Sequence, residues 1–111
     1  MDQNFFNLRR PGTTKLNQNF ARADVVAVWN KGQIVPGYDP NYVRKDACNA
    51  FIQFDKYGDT NSVYGWEVDH KLPVAKGGTD ILSNLQPLQW KNNRHKSDDI
   101  NWSCAVTYKG A

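Results

Sequence analysis

Apolar and polar residues alternate along residues 63–70, where Trp66, Val68 and His70 interleave with Glu67 and Asp69. That period of two predicts a β-strand. Leu72-Pro73 ends it, because proline cannot continue the ladder and restricts the residue before it. Gly77-Gly78 permits a sharp turn, Thr79 or Asp80 is placed to cap a helical turn beginning at Ile81, and residues 85–88 return as the second strand of a hairpin. The period then changes. Residues 90–97 predict a short helix crossing the hairpin, with Asn93 and Lys96 three residues apart on one face and Trp90 as a packing anchor. Upstream, Ala23, Val25, Val26, Val28 and Trp29 include i,i+3 and i,i+4 pairs, and Gly32 follows as a stop, so residues 22–31 read as a helix. Residues 33–40 read as loop, and residues 42–50 are ambiguous, with helical turns around 44–48. Residues 50–54 read as a strand whose partner is 63–70 across the turn 55–62. Residues 1–18 read as a flexible arm whose apolar cluster is Phe5, Phe6 and Leu8.

The element order predicts a small α+β domain. At 111 residues there is room for one core, able to bury roughly two-thirds of the unfolded surface. Four Trp, five Tyr and five Phe supply bulk for it. A charged fraction of 23% and a mean hydropathy of -0.72 fit a soluble protein. No stretch approaches a membrane span and the N-terminus lacks a signal-peptide pattern, so the expected location is cytoplasmic. Cys48 and Cys104 form no CxxC and cannot build a four-ligand zinc knuckle. They read as two buried thiols in preference to a single disulfide.

A net charge of +3 permits a polyanionic partner without requiring one. Its distribution says more: Lys71, Lys76, Lys91, Arg94 and Lys96 face only Glu67, Asp69 and Asp80 over residues 67–96. Arg9 and Arg10 read as a solvated tail in preference to phosphate contacts, and His95 as a surface residue. Singly, each of these residues is more often structural than chemical. In a regular strand Asp69 and His70 face opposite sides, so they reach one phosphate only if the strand ends or bends.

Taken jointly, Asp69-His70 in VDH, Pro73, Gly77-Gly78 with Asp80, Asn84-Leu85-Gln86, Leu88, Asn93 and Lys96 resemble the HNH endonuclease motif over residues 65–98. The fold of that family is the ββα-metal finger. The resemblance implies a single HNH nuclease domain at 19–111, with a finger of about 63–98 made of a β-hairpin with a long loop and a crossing helix. An extra N-terminal helix and strand precede it. It also implies a metal-dependent endonuclease cutting phosphodiester bonds of double-stranded DNA to leave 5′-phosphate and 3′-hydroxyl ends. His70 is then the general base, Asn84 orients it and holds the loop, and Asp69 and Asn93 hold the metal. Lys96 sits near the phosphates, with Lys71, Lys76, Lys91 and Arg94 as further nucleic-acid contacts. Oxygen ligands favour one Mg²⁺ or Mn²⁺ ion, with Zn²⁺ and Ni²⁺ also open. The sequence departs from the family in having Asn93 as the final ligand, Lys71 directly after the Asp-His pair, and no paired CxxC scaffold. The alternative from another class is a catalytically silent nucleic-acid-binding module that retains the fold, against which His70 argues.

Overall fold

The computed structural model describes residues 9–107, in which the chain runs α1 (Arg22–Trp29), β1 (Gln33–Ile34), β2 (Val43–Lys45), β3 (Phe51–Gln53), β4 (Trp66–His70), β5 (Leu85–Gln89) and α2 (Trp90–Lys96). Strands β1, β2 and β3 form one antiparallel sheet in that order, and β4 pairs antiparallel with β5. The architecture is α+β, and β4, β5 and α2 make a β-hairpin with a long loop crossed by a short helix. No helix among the described residues is long and apolar enough to cross a membrane.

One aromatic cluster joins the two sheets. Val25, Val28 and Trp29 of α1 pack with Phe20, Ile52, Trp66, Val68 and Leu85, and Phe54 covers the cluster. Trp29 meets Trp66 at 5.3 Å and Phe54 edge-on at 5.5 Å between ring centroids. Each such side chain contributes about 1.5–3 kcal/mol by leaving water. Trp90, read as a packing anchor, donates its indole N–H to the Ser62 carbonyl at 2.9 Å. Strand β4 is buried at all five positions, which explains its composition. Trp66 and Val68 face the cluster, while Glu67 and Asp69 contact side chains of α2.

The loop between β4 and β5 depends on its glycines. Gly77 sits at φ +95°, and a Cβ on Gly78 would lie 1.7 Å from the Leu72 carbonyl oxygen. Only glycine lets the two ends of the loop approach that closely.

Several expectations are corrected. Residues 50–54 do not pair with 63–70. The 3₁₀ turn Phe54–Lys56 redirects the chain after β3, leaving one Gln53 to Tyr64 backbone bond between the two segments. Residues 33–40 include the short strand β1 and residues 42–50 include β2, not helical turns. The cause at 44–48 is Asp46, whose carboxylate accepts from the Cys48 and Ala50 N–H groups at 2.9 Å and holds a turn in place of a helix. Neither Thr79 nor Asp80 caps the turn Leu82–Asn84, which has Ile81 at its start and no side-chain cap. Cys48 and Cys104 are joined in a disulfide. The bond brings residues 104–107 against α2, where the buried Asn92 amide accepts from the Ala105 and Val106 N–H groups and donates to the Val106 carbonyl. Phe5, Phe6 and Leu8 of the expected arm lie outside the described residues.

Candidate active site

Strand alternation sends Glu67 and Asp69 to α2, whose Asn93 and Lys96 share the facing side. Asn93 donates its amide N–H to Glu67 Oε1 at 2.9 Å, and Lys96 Nζ lies 3.2 Å from Asp69 Oδ1. Arg94 closes the row with an ion pair to Glu67 Oε2 at 2.9 Å. Across the hairpin, Gln86 donates to Asp69 Oδ2 at 2.9 Å, consistent with the Asp69 to Gln86 register. Burial pushes the Asp69 carboxyl above the usual carboxylate range, and Gln86, Lys96 and His70 oppose that rise. A carboxylate held in this state gains from any added positive charge.

His70 ends β4 and leaves the strand on the other side. Its Nε2 lies 2.8 Å from Asp80 Oδ1, and the same oxygen accepts from the Lys15 N–H at 2.9 Å. An ionised carboxylate only accepts, so Nε2–H is the donor in this pair, and in the neutral ring the lone pair is then on Nδ1. Among the described residues no buried side-chain nitrogen or oxygen lacks a partner, so Nδ1, which bonds to nothing, retains access to solvent. By the same reasoning the Asn93 carbonyl oxygen is open, since its amide nitrogen is held by Glu67.

Both open atoms belong to residues lining one cleft of about 440 Å³, together with Asp69, Arg94, Arg9 and Gly12. The opposing directions of Asp69 and His70 are reconciled because β4 stops at His70 and Pro73 turns the chain beside the cleft. Asn84 is outside the cleft and acts on the loop. Its amide accepts from the Leu72 N–H at 2.8 Å and donates to the Leu72 and Thr79 carbonyls at 3.1 and 2.9 Å, closing residues 72–84 into a ring that delivers Asp80 to His70.

The expected phosphate cations divide. Arg94 lines the cleft and its guanidinium is half exposed, while Lys76 and Lys91 are exposed elsewhere, Lys91 above the Trp90 ring. Lys71 is exposed beside a different cleft, and His95 is a surface residue as expected. Lys96 is corrected: it is 1% exposed and donates to the His70 carbonyl at 2.9 Å besides pairing with Asp69. The face it shares with Asn93 is the buried face, where Asp69 requires a counter-charge.

Sequence reasoning missed Asp80 as the partner of His70, Glu67 as the residue that orients Asn93, and Gln86 as the partner of Asp69. The two-residue spacing of Glu67 and Asp69 was the available signal for the last two. It also missed that residues 9–15 form a wall: Gly12 approaches the Glu67 side chain, and Arg9 lies at the cleft while bonding the Thr13 carbonyl at 2.8 Å.

Among the described residues no group of three or more His, Cys, Asp or Glu is placed to hold a metal ion. The cleft lining does include the carboxylate of Asp69 and the amide of Asn93, oxygen donors of the kind that suit a hard divalent cation completed by water and phosphate. Residues 48–99 match the family model described as HNH endonuclease. No curated protein and no solved structure matches the chain.

Proposed function

Starting from the HNH endonuclease domain that this chain carries over residues 48–99, we propose that it hydrolyses phosphodiester bonds of double-stranded DNA. HNH domains as a family are nucleases acting on nucleic acid, typically with a divalent metal. The observation that carries the finer reading is the convergence of His70, Asp69 and Asn93 on one cleft, with the partnerless His70 nitrogen and Asn93 oxygen left open.

His70 Nδ1 takes a proton from a water molecule, whose oxygen attacks phosphorus while the bond from phosphorus to the 3′ oxygen breaks. The products are a 5′-phosphate and a 3′-hydroxyl, the latter protonated from solvent. A neutral imidazole suits this task because its ordinary pKa lies near neutrality. Asp80 holds the ring in the tautomer that leaves Nδ1 free, and Asn84 holds the loop that carries Asp80. These two are positioning residues. Asp69 and Asn93 would hold one Mg²⁺ or Mn²⁺ ion, with Glu67 aiming the Asn93 oxygen. When bound, such an ion stabilises the charge that gathers on the phosphate oxygens in the transition state. Arg94, at the edge of the cleft, supplies a fixed cation to the phosphate backbone.

Incubation with supercoiled plasmid and Mg²⁺ or Mn²⁺ tests this reading. Relaxed or linear products with 5′-phosphate ends, lost on adding EDTA, are expected. Gel retardation without cutting would instead identify a silent binding module.

A further inference from the structure

The hydrogen bond between Asp69 and Gln86 marks the boundary between two clefts. Asp69 opens on the one already described, and Gln86 on a second of about 260 Å³ whose lining includes Lys31, Lys45, Lys71, Gln33 and Asp46. Three cations surround this second space. Lys31, just beyond α1, donates to the Leu82 and Leu85 carbonyls, which fixes its ammonium at the rim with one N–H left over. Lys45 of β2 lies over the Phe51 ring with Nζ 5.1 Å from its centroid, and Lys71 follows His70 directly in the chain.

Nothing here neutralises them. Among the described residues none of the three joins an ion pair. The carboxylate in the lining, Asp46, is 1% exposed and already accepts four hydrogen bonds, from the Cys48, Ala50 and Gln89 N–H groups and the Asn92 amide. Burial lowers the Lys31 pKa first, and the like charge of Lys71 across the cleft adds to it. A polyanion with regularly spaced charges relieves that repulsion.

We propose that this second cleft is a phosphate-binding subsite, in which Lys31, Lys45 and Lys71 hold the backbone of a nucleic-acid strand beside the bond cut in the first cleft. The proposal rests on the nuclease reading above. It adds Lys31 and Lys45, which lie outside the hairpin and its crossing helix, and makes the N-terminal sheet part of the substrate track. Lys71, adjacent to the general base, links the two clefts.

Binding of a long DNA duplex, measured over a range of salt concentrations, is compared with hydrolysis of bis(p-nitrophenyl) phosphate, a diester small enough to occupy the first cleft alone. Each phosphate contact contributes about 0.9 to the slope of log K against log salt. Lys45→Ala should therefore flatten the slope by about 0.9 and weaken duplex binding roughly fivefold at physiological salt, with hydrolysis of the small diester unchanged. Lys45→Arg should restore the slope, and Lys45→Ala with Lys71→Ala should flatten it by about 1.8. Wild-type activity on both substrates with an unaltered slope in the Lys45 and double variants overturns the subsite and leaves the nuclease reading intact. Failure of the wild type to cleave either substrate overturns the nuclease reading itself.

Discussion

The two halves of the molecule are held together by different physics. The frame formed by α1 and β3 meets the hairpin through apolar rings, with Trp29 in contact with both Phe54 and Trp66. The opposite side of the same hairpin, under α2, is also buried but is polar: Glu67, Asp69, Asn92, Asn93 and Lys96 each have at least one side-chain partner, and the Asn93 carbonyl oxygen stays open. Strand β4 belongs to both, its odd and even residues facing different chemistries. The lesson is that the apolar side supplies stability, while the polar side keeps a carboxylate and an amide oxygen in fixed positions. Buried polar groups stabilise little in net terms but restrict geometry when every partner is present.

Breaking either side should give a large loss, and what separates the two is whether a second substitution recovers it. Trp66→Ala is expected to lower unfolding free energy by about 3–5 kcal/mol in urea titrations, a cavity effect with no dependence on divalent metal. A loss under 1 kcal/mol would show that the cluster is not the main support. On the polar side, Lys96→Met should remove a similar amount, about 3–5 kcal/mol, because Asp69 is left as an uncompensated buried charge. Adding Asp69→Leu should recover most of that loss, whereas no compensator exists for Trp66→Ala. If the double variant is no more stable than Lys96→Met, the Asp69 charge is not what the lysine serves.

The latch between the halves comes next. The Cys48–Cys104 bond spans a separation of 56 residues and should contribute about 4 kcal/mol on the chain-entropy account. Reduction, or Cys104→Ser, should lower stability by that order and raise amide exchange around Asn92, whose partners include residues 105–106. Unchanged exchange at Asn92 would mean the segment stays docked without the bond. The smallest effect is reserved for the loop. Asp80→Ala should reduce kcat on the order of tenfold with KM little altered, because the tautomer of His70 is no longer fixed. Imidazole ¹⁵N shifts should show the Nε2–H form in the wild type and a mixture in the variant. One unchanged tautomer in both would remove Asp80 from the site.

What the sequence disclosed follows from how local each cause is. The hairpin and α2 were legible because their hydrophobic period changes at Trp90 and because proline and paired glycines punctuate the loop. Strands β1 and β2, two and three residues long, carry too little periodicity to be seen, and Asp46 forms its turn through side-chain bonds that no pattern announces. The disulfide joins residues far apart in sequence with no motif between them. At the candidate site, Asp69, His70 and Asn93 were singled out by residue type and order, and they line one cleft, but the direction of each side chain was not legible. Lys96 was placed outward because the helix face it shares with Asn93 could have been exposed or buried. Asp80 was assigned to a nearby helical turn because the loop closure by Asn84 and Gly78 exists only in three dimensions.

The central claim is that His70 acts as a base on the cleft it shares with Asp69 and Asn93. Plasmid cleavage by wild-type protein and by His70→Ala, side by side with Mg²⁺, tests it most directly. Cutting by the wild type is expected, with a loss of at least roughly a hundredfold in the variant at a temperature where both proteins remain folded. Equal cutting by the two proteins, or none by either, would contradict it.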